Sequence, residues 1–334
     1  MEAGRRIAWV DMARGIAMMA ILLFHSEKYY AGEEIIPYPL YVDNAVVVFF
    51  FISGYLFYNP EKPFSLHHKL VSVAKGMVIP YFLFTTVIAF PKALVHDDTS
   101  LSDTLSLILT GHASWFIAAL ITAELIFCLL LRACRGKIVP LGVICELSYL
   151  SMAFFCHFFD SSTREAWNLW CWQNACINLI FIYFGHVCRQ SGEFFHRFHR
   201  PSYLLFLLIF FVFYKYMILK SGWMLTMEPI HVDSFFVLLA DGLLGSILFT
   251  GICRHLPTMP MIQWTGQHSL FYYFICGGVP LLVSKAFVMT GVPYTGNYLP
   301  VIPLFLMVYA VATAIVWCIV MVKEKVRLLF LSET

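Results

Sequence analysis

What this chain has least of is charge. Only 13% of its 334 residues are Asp, Glu, Lys or Arg, while 60% are hydrophobic, and its mean hydropathy is +0.77. A soluble domain carries about twice that charged fraction, so a soluble fold is excluded. The net charge of +2 says little about partners by itself, because the sidedness of the charges carries the information, and no nucleic-acid partner is expected. The segments between the apolar runs are also too short to hold a folded soluble domain. No GxGxxG, P-loop or HExxH pattern occurs, which removes the dinucleotide, nucleotide-phosphate and zinc-protease motifs. The ten cysteines form no CxxC pair and no metal-ligand spacing. His67 and His68 are adjacent, so they do not face one another on a helix, and no acid sits beside them. No metal is expected. Cys156, Cys171 and Cys176 fall toward one face, where one disulfide could form. No internal repeat is visible, which counts against an inverted-repeat transporter.

What is present is a series of apolar runs, each close to the ~20 residues that span a bilayer. Ten are readable: 8–27, 44–58, 76–94, 114–132, 138–158, 174–190, 203–220, 234–253, 268–288 and 300–321. The second and sixth are short. The loops test this count through their charge. With the N-terminus inside, the inner segments hold Arg5, Arg6, Lys62, Lys69, Lys75, Arg132, Arg135, Lys137, Arg189, Arg197, Arg200, Arg254, Lys323, Lys325 and Arg327. The outer loops hold mainly acids: Glu33, Glu34, Asp43, Asp97, Asp98, Asp103, Asp160, Glu165, Glu228 and Asp233. Lys28, Arg164 and Lys220 are the basic exceptions. This alternation follows the positive-inside rule, and a shift by one span would invert it. The expected fold is an all-α polytopic membrane protein with about ten transmembrane helices and both termini cytoplasmic. Residues 1–334 would form one integral-membrane domain with no appended soluble domain. Arg5-Arg6 before an apolar run resembles a signal peptide, but Asp11 and Arg14 interrupt its core, so the first span is read as uncleaved.

That first span carries the chemistry. Asp11, Arg14 and His25 sit in a segment otherwise apolar enough to enter lipid. Arg14 and His25 are eleven positions apart, close to three helical turns, so they share a face and lie roughly 16 Å apart along the axis. Ionisable groups at membrane depth are costly and usually functional. Glu124 in the fourth span and Asp241 in the eighth are further buried-carboxylate candidates. Lys215 in the seventh could snorkel outward. Other features admit two readings. The loop 28–43, with Tyr29, Tyr30, Tyr38 and Tyr41, fits an interfacial aromatic belt or a vestibule whose rings stack on sugars. Ser53-Gly54 fits helix packing or close approach of a ligand. Lys75, before Ile79-Pro80-Tyr81, fits a positive-inside lysine or, beside a helix N-terminus, a phosphate site. Trp115 fits an interfacial anchor, and Asn174 with Asn178 fits interhelical bonding. Gly277-Gly278 and Pro280 should interrupt the ninth span where the backbone is buried or lines a cavity.

Arg14, ten residues and then His25 within Asp11-Met12-Ala13-Arg14-Gly15-Ile16 is one of five linked features. The others are Phe50-Phe51-Ile52-Ser53-Gly54-Tyr55-Leu56, a basic residue before Ile79-Pro80-Tyr81, Trp115-Phe116, and Gly266 with Ser269 and Tyr272 or Tyr273. In this order and spacing, across nearly the whole chain, they make the protein similar to the acyltransferase family 3 proteins. These are integral-membrane enzymes that acylate sugars, polysaccharides and antibiotics in bacteria. Two departures stand out. Lys69 and Lys75 occupy the region where many members carry two arginines, and lysine lacks the planar fork that grips phosphate. Cys276 stands where members often have a histidine.

The resemblance implies transfer of an acyl group, most often acetyl, from acyl-CoA on the cytoplasmic side to a hydroxyl of a carbohydrate or glycolipid-type acceptor, in the bacterial inner membrane. It implies a donor side of Arg14, Lys75, Lys69, Ser269 and Tyr272, with Asp11 orienting Arg14. Ser53, Trp115, Phe116 and Glu124 would meet the acceptor. His25 suits a general base, since its unperturbed pKa is near neutrality, and equally a nucleophile that carries the acyl group. The competing reading is a transporter or flippase for an acyl group or glycolipid, with Asp11, Arg14, Glu124 and Asp241 along its path.

Overall fold

The computed structural model describes residues 7–59, 64–95 and 101–332. Arg5, Arg6, Lys62, Asp97 and Asp98, used above for sidedness, lie outside the described residues. The helices in chain order are α1 (Ala8–Ala31), α2 (Val42–Phe57), α3 (Leu66–Val73), α4 (Ile79–Val95), α5 (Leu101–Thr110), α6 (Trp115–Ala133) and α7 (Ile138–Phe158). There follow α8 (Ser161–Ala166), α9 (Trp172–Gln190), α10 (Gly192–Phe198), α11 (Pro201–Ser221), a short hairpin of β1 (Leu225–Met227) and β2 (Ile230–Val232), and α12 (Phe235–His255). The chain continues through α13 (Pro260–Gln267), α14 (Ser269–Ile275), α15 (Gly278–Met289) and α16 (Val301–Ser332). All ten apolar runs are helical. Among the described residues seven helices are long and apolar enough to cross a bilayer, or eight if α14 and α15 form one span. α2, at 16 residues, is apolar but short. α9 has the length, but carries Gln173, Asn174, Asn178, His186 and Arg189.

Several ends follow from local sequence. α1 closes on Gly32, whose positive φ of 81° lets its N–H reach the Lys28 carbonyl. α11 opens on Pro201, where the missing N–H costs nothing. α14 and α15 meet at Cys276-Gly277 with a bend of 53°, at the predicted interruption. α3 and α4 are joined by a π-helical turn over Ala74–Val78. Pro80, two residues on, has no N–H to return to the preceding turn. Lys75 therefore lies inside one continuous helical rod that starts at Leu66, and the expected helix N-terminus beside it is absent.

The chain divides into two compact units, Met1–Ala45 with His255–Thr334, and Val46–Arg254. In the first, α1 packs on α13, α14, α15 and α16. Its closest contact is backbone to backbone. A β-carbon at Gly266 would lie 1.8 Å from the Asp11 carbonyl oxygen, and one at Gly15 would lie 2.1 Å from that of Ile262. In the second unit, α9 packs on α6 and α7. It meets α2 in the same manner, since a β-carbon at Gly54 would strike the Ile182 carbonyl at 1.8 Å and one at Gly185 that of Phe51 at 1.9 Å. Glycine here lets two helices approach at backbone distance.

Polar side chains in the second unit are fastened inside it. Lys215, which was expected to snorkel, is instead buried and pairs with Asp241 at 2.6 Å. The carboxylate on α12 supplies the counter-charge that solvent would otherwise supply. Asn174 donates to the Met227 carbonyl and accepts from Asn168 at 2.9 Å, and so ties the hairpin to α9. Asn178 donates back to the Asn174 carbonyl at 2.8 Å. All ten cysteines are free thiols, Cys156, Cys171 and Cys176 included.

Two predictions follow from this packing. Gly266→Ala and Gly54→Ala force helices apart and should each lower stability by about 1–3 kcal/mol or more. Gly192→Ala, where a β-carbon meets nothing within 4 Å, should be neutral or stabilising, and thermal unfolding in detergent checks all three. The second concerns Glu228 in the hairpin turn, whose carboxyl is pushed up to about 7, first by burial and then by Glu165. Because the folded protein holds that proton more tightly than the unfolded chain, stability should fall as pH rises from about 4.5 to about 7. Unfolding of Glu228→Gln, followed against pH, should lack that component of the slope.

Candidate functional site

The residues singled out from sequence fall into a group in each unit. In the first unit, α1 runs unbroken from Ala8 to Ala31, so Arg14 and His25 lie on one face as the spacing predicts. His25 is half-buried. Its ring stacks on Tyr29 at 6.0 Å, with planes 19° apart, and meets Phe24 edge-on at 5.5 Å. Phe24 is backed by Tyr38 at 5.3 Å and by Val42. Tyr29 is 41% exposed. Its hydroxyl would lie 3.8 Å from a β-carbon at Gly277, at the break between α14 and α15. The histidine and the interruption of the ninth run are therefore linked through one tyrosine.

Asp11 is buried and accepts a hydrogen bond from Gln267 Nε2 at 3.0 Å. With the backbone contact at Gly266, this explains why Gly266-Gln267 accompanies the first-span motif. Tyr272 is fully buried, with its hydroxyl 2.8 Å from Thr313 Oγ1 and its ring stacked on Tyr309 at 6.3 Å. Tyr309 in turn bonds Thr265 at 2.6 Å. Tyr272 thus sits in a hydroxyl network joining α13, α14 and α16. Ser269 begins α14, half-buried.

One residue of this group went unread in the sequence. Glu27 is wholly buried, and accepts hydrogen bonds from Tyr298 at 2.5 Å and Tyr41 at 3.2 Å. Burial first, and the Glu27 carboxylate with it, raise both phenols above their usual pKa, so they stay protonated donors. The available signal was an acid in the last turn of a helix, where the partial negative charge of the helix end opposes it. Such an acid needs donors from elsewhere. Glu27 is two positions from His25, so it points away from the histidine and pins the segments at 38–41 and 298 to the end of α1.

In the second unit, Ser53, Glu124 and Lys69 converge. Ser53 Oγ donates to Glu124 Oε1, and Lys69 Nζ lies 3.2 Å from Glu124 Oε2. The Lys69 ammonium also sits 3.9 Å over the Phe57 ring, a cation–π distance. Glu124 therefore has a hydrogen-bond donor and a cation beside it, which is how a carboxylate is retained in an apolar span. Phe116 is buried against Phe49 and Phe50, each at 5.5 Å, and Trp115 packs edge-on against it. Lys75 is exposed.

A largely helical chain with at least seven membrane-length helices among the described residues is a multi-pass membrane protein. This one belongs to acyltransferase family 3: the family's model, described as an acyltransferase domain, matches residues 7–321. It is a membrane acyltransferase. No curated protein and no solved structure matches the chain.

The Lys69–Glu124 pair has a testable energetic signature. Removing one partner leaves a buried charge, so Lys69→Met should be more destabilising alone than in combination with Glu124→Gln. A double-mutant cycle on unfolding in detergent should give a coupling of about 1–3 kcal/mol. Additive effects would mean that the pair is screened.

Proposed function

We propose that the protein transfers an acyl group, acetyl in the first instance, from acyl-CoA to a hydroxyl of a carbohydrate or glycolipid-type acceptor in the bacterial inner membrane. The observation that carries this reading is the stack of His25 on a partly exposed Tyr29 within the family-matched chain. A neutral imidazole offers a ring nitrogen that can take the proton of a hydroxyl. An exposed aromatic face beside it suits the apolar face of a sugar ring.

As general base, His25 takes the proton from the acceptor hydroxyl while that oxygen attacks the thioester carbonyl. Collapse of the tetrahedral intermediate breaks the C–S bond, and the proton passes to the departing thiolate of CoA. As a nucleophile, a ring nitrogen of His25 would instead take the acyl group first and release CoA. The acceptor oxygen would then remove it and restore the imidazole. Arg14, three turns away on the same face, meets the donor's carbonyl or phosphate oxygens, with Asp11 held nearby by Gln267. Lys69, Lys75, Ser269 and Tyr272 are assigned to the donor, and Ser53, Trp115, Phe116 and Glu124 to the acceptor.

Transfer of labelled acetyl from acetyl-CoA by the purified protein tests this. His25→Ala should lower it by about 10²–10⁴-fold with thermal unfolding unchanged. Arg14→Ala and Lys75→Ala should weaken acyl-CoA binding. Full acceptor modification by His25→Ala would overturn the mechanism.

A further inference from the structure

The C-terminal end of α1 carries a wall on each side of His25. At about 100° per residue, His25 and Tyr29 share one face of the helix. Tyr30 lies to one side of that face, Phe24 to the other, and Glu27 behind. On the Phe24 side, Phe24 packs with Tyr38 and Val42, and Tyr41 packs against that group. On the Tyr30 side, the Tyr30 ring meets Phe287 of α15 and Tyr294 edge-on, each with ring centroids 5.7 Å apart. The Tyr30 hydroxyl also donates to the Val292 carbonyl at 3.0 Å. The exposed Tyr29 ring, stacked on His25, lies on the face between these walls.

Behind the helix the two walls are joined through a single side chain. Glu27 Oε2 accepts from Tyr41 of the first wall at 3.2 Å, and Glu27 Oε1 accepts from Tyr298 of the second at 2.5 Å. Tyr298 follows Tyr294 after a turn at Gly296, whose φ is 84°. Apolar packing would fasten either segment at less cost than a wholly buried carboxylate near a helix C-terminus, where the helix dipole opposes it. Two oxygens on one carboxylate do what apolar packing does not. They fix both walls to one point, so neither shifts without the other, and the opening onto Tyr29 and His25 keeps one width.

We infer that Glu27 is a positioning residue for the acceptor. Acting through Tyr41 and Tyr298, it sets the distance between the two tyrosine-bearing walls, and a hydroxyl-bearing ring reaches His25 between them. This rests on the acyl-transfer reading above. Glu27 points away from His25 and takes no part in the transfer itself.

The full-length protein in phosphatidylcholine nanodiscs, which offer no competing hydroxyl, tests this with labelled acetyl-CoA and methyl hexopyranosides as acceptors. Glu27→Gln keeps the shape but has one accepting oxygen for two phenols, and Tyr41→Phe and Tyr298→Phe each remove one donor. Each should raise the KM for the glycoside about 3–10-fold and leave the KM for acetyl-CoA unchanged. A purely structural role would lower the active fraction, and so kcat, with both KM values unchanged, and that result overturns the inference. Equal rises in both KM values overturn it as well. A second measurement needs no acceptor. Modification of His25 by diethyl pyrocarbonate, read by mass spectrometry against the exposed His157, should be about 3–10-fold faster in the variants. If Glu27→Gln does not fold, the two phenylalanine variants decide. If the wild type acylates none of the glycosides, the carbohydrate reading fails, and the His25 modification rate alone decides the clasp, which an unchanged rate overturns.

Discussion

Direct contact between helix backbones is the constraint on which the rest of this structure depends. In a bilayer the apolar effect does not press helices together, so association comes from close packing and from polar contacts that packing permits. Gly15 and Gly266 let α1 and α13 meet at the distance of a carbonyl oxygen, and Gly54 and Gly185 do the same for α2 and α9. Each contact sets a register. The first brings Gln267 onto Asp11, and the second brings the Tyr55 and Arg189 side chains to one place.

The second organising demand is that every charge inside a span be answered within the protein. Glu124 is answered by Lys69 and Ser53, Asp241 by Lys215, Asp11 by Gln267, and Glu27 by two tyrosines. His25 is in a different condition. Its neighbours Phe24 and Tyr29 are rings, which hold the imidazole in place through their faces and edges. Such support is compatible with the proton or acyl exchange proposed for it above.

The fold was readable from sequence because its signal is one-dimensional. Long apolar runs and the alternation of basic and acidic loops need no knowledge of contacts, and all ten runs are helices. The break at Gly277-Gly278 was readable for the same reason, since the residues that cause it are the residues that show it. The pairings were not. Glu27 meets Tyr298 from 271 positions away, and Lys215 found Asp241 on the next long helix where a lone lysine reads as a snorkelling one. Lys75 lies within a continuous rod because a π-turn absorbs Pro80, which a proline in sequence does not announce. Likewise Gly266 was recognised as part of a motif, while its purpose, contact with Asp11, belongs to three dimensions.

The shortness of α2 has its own physical consequence. Its 16 residues make a helix of about 24 Å, against a hydrocarbon core of about 30 Å. Its ends are therefore either recessed below the headgroups or met by a locally thinned bilayer. In the second case the apolar depth around the helix that carries Ser53 and Tyr55 is smaller than around its longer neighbours. A charged donor of the kind proposed above would have less apolar depth to overcome at that point.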